Sequence, residues 1–357
     1  MATVQRYLNT ASTAGGDGTT NATSGGTRAF ASQSEAEANM GGSATDDYIL
    51  DCCGSTADTT AVIIDFPTNL TTGTFLVRGN RSDPAGFYNG NLVISTSHYY
   101  LSQSSAFYCI RIQEANVTID GIQVGQGRSS GDGIQLYAPY NTTVRRCRVF
   151  ATSTSAYGGI GQSVSLGGAS GATILIENNL VVGFIQYQIS YWIGNFYNRT
   201  VNIYHNTCYC YTNARGIYIR GGPSGTQIYN VKGNAVANSG TSLDIDYSGV
   251  TGAAVVNFDT NALQDSEGTT NEIALGTDTD AWTSPGLTTS ADFTIKDASS
   301  ALNATVPGTL VSTDINDVAR SSYSIGCFEF AVAANDDMFI RRAGGRSRLA
   351  GPGGLAA

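Results

Sequence analysis

Apolar positions along the chain fall into short runs that recur at long intervals. In "VNIYHNTCY", residues 201–209, Ile203 is followed three positions later by Asn206 and five later by Cys208, within a stretch that otherwise reads as a strand. The frame returns as Ile176, Asn179, Val181, then Val231, Asn234, Val236, then Phe258, Asn261, Leu263, with successive asparagines 27, 28 and 27 residues apart. Two earlier units, Ile119, Ile122, Val124 and Val144, Cys147, Val149, keep the apolar pair and replace the Asn. A second strand follows in most units, at 133–137, 164–168, 216–221 and 243–247, where Ile134/Leu136, Ile217/Ile219 and Leu243/Ile245 alternate onto one face. Neither strand can bury its apolar face alone, so each unit must stack on the next, about 4.8 Å away and in parallel register. The expected fold is all-β, a parallel β-helix of about seven coils and roughly 35 Å of stack.

Strands deplete asparagine, because its side chain competes with the backbone ladder. At a repeated bend the same amide becomes useful, since it supplies both a donor and an acceptor to backbone groups left unpaired by the turn. Asn179, Asn206, Asn234 and Asn261 are therefore expected to form an internal hydrogen-bonded ladder. Cys147 and Cys208 occupy apolar positions of the repeat and read as core thiols. His98 and His205 lie far apart, and His205, directly before a ladder position, reads as a surface or stacking side chain.

Composition agrees with strands and turns. Glycine makes up 43 of 357 residues and charged residues only 13%, too few for long solvent-facing helices. The formal net charge of −9 sets a repulsive average field against a polyanion, so no nucleic-acid partner is expected and only a local patch could attract an acidic polymer. Seven cysteines, an odd number without metal-ligand spacing, read as mostly reduced and packed. The start, "MATVQRYLNT", has no basic and apolar leader, and no apolar run reaches membrane-span length. No nucleotide-binding or nucleophile-elbow motif is present, and no cofactor or metal is expected.

The ends differ from the repeat. Residues 1–59 hold a first strand, a Gly/Thr/Asn-rich segment and Ser32-Gln-Ser-Glu35, a capping box that predicts a short helix to Met40 over the open end of the first coil. Coils are expected over 60–265, a closing segment over 266–332, and an arm over 333–357 that carries Arg341, Arg342, Arg346 and Arg348 around Met338, Phe339 and Ile340. The arm has two readings: a solvated tail, or a segment that orders on a neighbouring subunit and pairs its arginines with acidic surface.

The repeat resembles the right-handed β-helix superfamily that includes pectate lyases and phage tailspikes. The closing segment carries a second resemblance: Asp292, Phe293, Ser300, Ala301, Asp314, Arg320, Ile325, Gly326 and Glu329 match the D-F-x-L-x-x-x-S-P-A-x-D, D-x-x-G-x-x-R and D-I-G-A-x-E stretches that end many β-helix proteins. It departs from them at Ser299-Ser300, Val318 and Ser324. The resemblance implies one of two functions. One is a bacteriophage virion component: a homotrimeric spike, tail or head-decoration protein assembled in the host cytoplasm, in contact with other virion proteins and a host surface polysaccharide, without membrane insertion. The alternative is a polysaccharide lyase or glycoside hydrolase, for which Asp244 and Asp246 are the candidate pair, expected side by side on the solvent face. Tyr191, Trp192 and Tyr197 form an aromatic group suited to stacking on sugar rings, to a subunit interface, or to packing within the coil.

Overall fold

The structure, a computed structural model, describes residues 2–327 apart from 41, 55, 66–69, 80–97, 138–140, 163–170, 193–197, 212, 222–224, 238–241, 265–271, 276–280, 286, 288–291, 297–299, 301, 303–312, 316–319 and 321–323. Its strands form a parallel β-helix with three strands per coil, one in each of three long sheets. From Asp47–Cys53 to Val255–Asp259 each coil runs through sheet A, then sheet B, then sheet C. Among the described residues sheets A and B each contain nine strands and sheet C seven. One typical coil comprises Arg199–Tyr204 in sheet A, Thr207–Tyr209 in sheet B and Arg215–Arg220 in sheet C.

Three apolar columns fill the interior. In sheet A, Ile119, Val144, Ile176, Ile203, Val231 and Phe258 stand in one register row. In sheet B the row is Val124, Val149, Val181, Cys208, Val236, Leu263. Sheet C contributes six isoleucines, from Ile110 to Ile245. Full burial of one such side chain contributes about 1.5–3 kcal/mol, which makes the columns the main source of cohesion. All seven cysteines are buried free thiols; burial pushes Cys147 up to about 12, far from a reactive thiolate.

The sequence pattern showed sheet A and sheet C and left the third strand out. Its sheet B members are two to four residues long, and most bury both faces, as in Leu180–Val182 and Ala235–Ala237, so they have no alternation to read. The strand expected at 164–168 lies outside the described residues; sheet C is formed in that coil by Gly158–Gly161.

Parallel stacking also begins earlier than residue 60. Thr3–Asn9 pairs with Asp47–Cys53 at the start of sheet A. The helix Gln33–Asn39 follows Ser32, whose hydroxyl accepts from the Glu35 N–H at 3.1 Å. The Glu35 carboxylate returns one residue before the cap, to the Ala31 N–H at 2.7 Å, and also accepts from the Gly15 N–H. Ala36 and Met40 pack into the main core, so the helix seals the first coil.

The closing segment lies along the side of the coils. Trp282, Phe293, Leu302, Ile315, Ile325 and Cys327 pack against the outward side chains of sheet B, among them Leu180, Val182, Tyr209, Ala235 and Ala262. This cover explains why sheet B is apolar on both faces.

Candidate functional site

The corner between sheets A and B is a column of left-handed residues: Gly121, Arg146, Asn178, His205, Gly233 and Thr260, with φ between 51° and 66°. The last four each precede a ladder asparagine, and Gly121 and Arg146 precede Ile122 and Cys147, which replace it. Asn179 Nδ2 donates to Asn206 Oδ1 at 2.9 Å, Asn206 Nδ2 to Asn234 Oδ1 at 3.0 Å, and Asn234 Nδ2 to Asn261 Oδ1 at 3.0 Å. Each of the four amides also donates to a carbonyl one coil earlier, those of Val144, Ile176, Ile203 and Val231. The oxygens of Asn206, Asn234 and Asn261 accept the backbone N–H of the preceding asparagine as well. All four side chains are buried, and together they satisfy the turn's backbone groups. A second amide row, Asn202, Asn230 and Asn257, runs over the outer face of sheet A with contacts of 2.8 and 2.9 Å.

His205 is fully buried, which excludes the surface alternative of the two expected for it, surface or stacking. The ring lies beside Gly233, where a Cβ would approach it to 2.9 Å, and its Nδ1 is 3.2 Å from the Ser324 carbonyl. The closing segment docks on this corner. Arg320 donates to Asn178 Oδ1 and to the carbonyls of Ser324 and Gly326, Asn178 Nδ2 donates to the Thr313 carbonyl, and the Gly326 N–H reaches the Gly233 carbonyl. Arg320 and Gly326 of the closing motif thus have structural roles, while Ala301 and Glu329 lie outside the described residues.

Asp244 and Asp246 do not form a solvent-facing pair. In five sheet C strands, those beginning at Tyr108, Asp132, Gly158, Tyr187 and Arg215, the second and third residues are both buried. The first inward row is Cys109, Gly133, Gly159, Gln188 and Gly216, and at Gly159 a Cβ would come within 2.3 Å of Val181. Asp244 enters this row: its carbonyl accepts from Ile217 N–H at 2.8 Å and the residue has no exposure, whereas Leu243, expected inward, is 45% exposed. Asp246 does face outward, but Arg215 Nε donates to it at 2.6 Å and the Ser248 hydroxyl at 2.6 Å. Burial by itself would raise the Asp246 carboxyl; the bonds from Ser248 and Arg215 prevail and hold it below its ordinary value.

Tyr191 is also inward and buried, with its hydroxyl 3.3 Å from Arg199 Nη1, so it cannot stack on a sugar. Trp192 is half-buried on the outer face, under the Arg220 guanidinium at 4.3 Å. Tyr197, Arg341, Arg342, Arg346 and Arg348 lie outside the described residues.

The outer face of sheet C holds a network that the sequence pattern did not single out. Arg111 lies between the rings of Tyr108 and Tyr137, at 4.0 and 4.6 Å, and its Nε donates to Gln135 Oε1 at 2.6 Å. Gln135 Nε2 donates to Asp132 Oδ2 at 3.0 Å, and the Tyr187 hydroxyl reaches Asp132 Oδ1 at 3.2 Å across Gly158. A signal was available: "YCIRI" and "DGIQLY" sit one repeat apart, and aligning their isoleucines places Arg111 beside Gln135. A cavity of about 160 Å³ lies elsewhere, between Phe150, Thr152, Val182, Tyr211 and Leu287, and no carboxylate, imidazole or amine lines it. Among the described residues no group of three or more His, Cys, Asp or Glu could hold a metal ion, and no helix is long and apolar enough to cross a membrane.

No protein-family model matches the sequence, and no curated protein matches it. Among solved structures, the chain is similar to the pectin methylesterase from Aspergillus niger in deglycosylated form, at 9% sequence identity and a TM-score of 0.40, over 71% of this chain and 89% of that one.

Proposed function

We propose that the protein is a structural component of a bacteriophage virion, a β-helical rod that assembles as a homotrimer, joins other virion proteins as spike, tail or head decoration, and meets a host surface polysaccharide. The observation that carries this reading is how three of the described carboxylates are used. Asp51 pairs with Arg78, Asp120 with Arg145 and Arg146, and Asp246 with Arg215, in each case joining neighbouring coils. Charges spent on stacking serve mechanical persistence, and so do the apolar columns and the buried amide ladder. The resemblance of the closing motif to β-helix proteins adds support, since Arg320 and Gly326 fasten that segment to the coils.

The depolymerase alternative loses the carboxylate pair on which it rested. A hydrolase needs one carboxyl group to give a proton and another to attack or activate water across a shared cleft. Asp244 is inside the wall and Asp246 is held by Arg215 and Ser248. Light scattering on the purified chain, followed by incubation of the same sample with bacterial surface polysaccharides, tests the proposal. A stable trimer that leaves the glycans intact is expected. A monomer, or glycan cleavage abolished by Asp246→Asn, would overturn it.

A further inference from the structure

Two arginines on the outer face of sheet C are held in place but not neutralised. Arg111 is gripped between two tyrosine rings, and its only protein hydrogen bond among the described residues is Nε to Gln135. Asp132, 3% exposed, accepts from Gln135 and fixes that amide. Nη1 and Nη2 of Arg111 therefore have no protein acceptor among the described residues, although the side chain is only half-buried. Arg220 repeats the arrangement with one ring: its guanidinium stacks on Trp192, the residue is exposed, and no protein group accepts from its side chain among the described residues. Arg215 provides the contrast, since it stacks on Tyr218 at 4.9 Å and is also neutralised by Asp246.

A guanidinium is a planar fork whose two outer nitrogens match the oxygens of a carboxylate. Its usual cost on binding is the freezing of a long side chain, and here stacking and the Gln135 bond have already imposed that order. From these observations we infer that Arg111 and Arg220 are two carboxylate-binding positions for an acidic polysaccharide, with Tyr108, Tyr137 and Trp192 as the apolar surfaces against which its sugar rings pack. Arg220 is four strands from Arg111 in sheet C, about 19 Å along the stack. Two like positions on one face suit a ligand that carries the same charge in each repeat. They are also a local basic exception on a chain of net charge −9. This deepens the surface-contact part of the proposed function and depends on the virion reading only for where the polymer is met; binding by the isolated chain succeeds or fails whether or not that chain is a virion trimer.

The test is titration of the full chain with alginate fragments, with dextran as the neutral glycan and polyglutamate as the acidic polypeptide, at low and moderate salt. Alginate is expected to bind with an affinity that falls as salt rises, and dextran not to bind. Arg111→Gln and Arg220→Gln should each weaken alginate binding about tenfold or more, the range for a lost charged hydrogen-bonded contact. Arg111→Lys should weaken it nearly as much, because it keeps the charge and loses the fork. Arg220 is exposed, so its variant keeps the test valid if Arg111→Gln were to unfold, which urea denaturation would reveal. No alginate binding, equal binding by both glutamine variants, or full binding by Arg111→Lys would overturn the assignment. Polyglutamate bound as tightly as alginate would overturn it in favour of an acidic protein partner.

Discussion

At the scale of single residues, the asparagine ladder is the clearest case of a side chain replacing backbone pairing. Asn206 bonds to Ile176, Asn179 and Asn234 at once, so Asn206→Ala strands buried groups in two neighbouring coils. Urea unfolding should show a loss of about 2–4 kcal/mol, from one to three kcal/mol per orphaned buried group; a loss below about 0.5 kcal/mol would contradict the role. Asp246 supplies a pH test. An acid whose folded pKa lies below its unfolded one stabilises the fold fully above the unfolded value, here 3.8, and loses that contribution as pH falls through the folded value. Asp246→Asn should therefore lower stability at neutral pH and flatten the fall in unfolding midpoint below about pH 4 relative to the parent chain.

At the scale of elements, the closing segment behaves as a lateral clamp. It is attached by apolar contact over sheet B and by polar contacts at the left-handed corner, where Arg320 reaches four acceptors. Replacing Arg320 with Met keeps the bulk and removes every donor, leaving Asn178 and the Ser324 and Gly326 carbonyls without their charged partner. Hydrogen exchange should then quicken in 313–327 and in the outward positions of sheet B, while Ile176, Ile203 and Val231 in the core of sheet A stay protected. Uniform acceleration along the chain would mean that the segment is part of one cooperative unit with the coils.

At the scale of the whole molecule, the two ends of the stack are treated differently. The helix Gln33–Asn39 seals the first coil, and Tyr7 and Asn9 of the first strand are paired with Gly18 and Phe30. At the other end Val256 and Phe258, the inward residues of the last sheet A strand, are only partly buried, and Val255 is exposed. One reading of the C-terminal arm is a segment that orders on a neighbouring subunit. Deleting 335–357 should lower the mass seen by light scattering while leaving the β-sheet circular dichroism unchanged. Retention of the assembled mass would show that the arm takes no part in association.

The sequence by itself determined the parallel β-helix, the repeat frame and the four ladder asparagines, because stacking at fixed register forces like residues to recur at one coil's spacing, and that recurrence survives in a linear string. It determined the capping helix for a similar reason, since Ser32 and Glu35 act within one turn. Tertiary structure decided the rest. Sheet B gave no alternation because a segment distant in the sequence covers it, and Asp244 is buried while Leu243 is exposed, against strict period two. The Arg111 network was written in the sequence as ordinary strand residues; only the register that brings Gln135 alongside, and the two rings that close on the guanidinium, give that arginine a fixed, outward-facing charge.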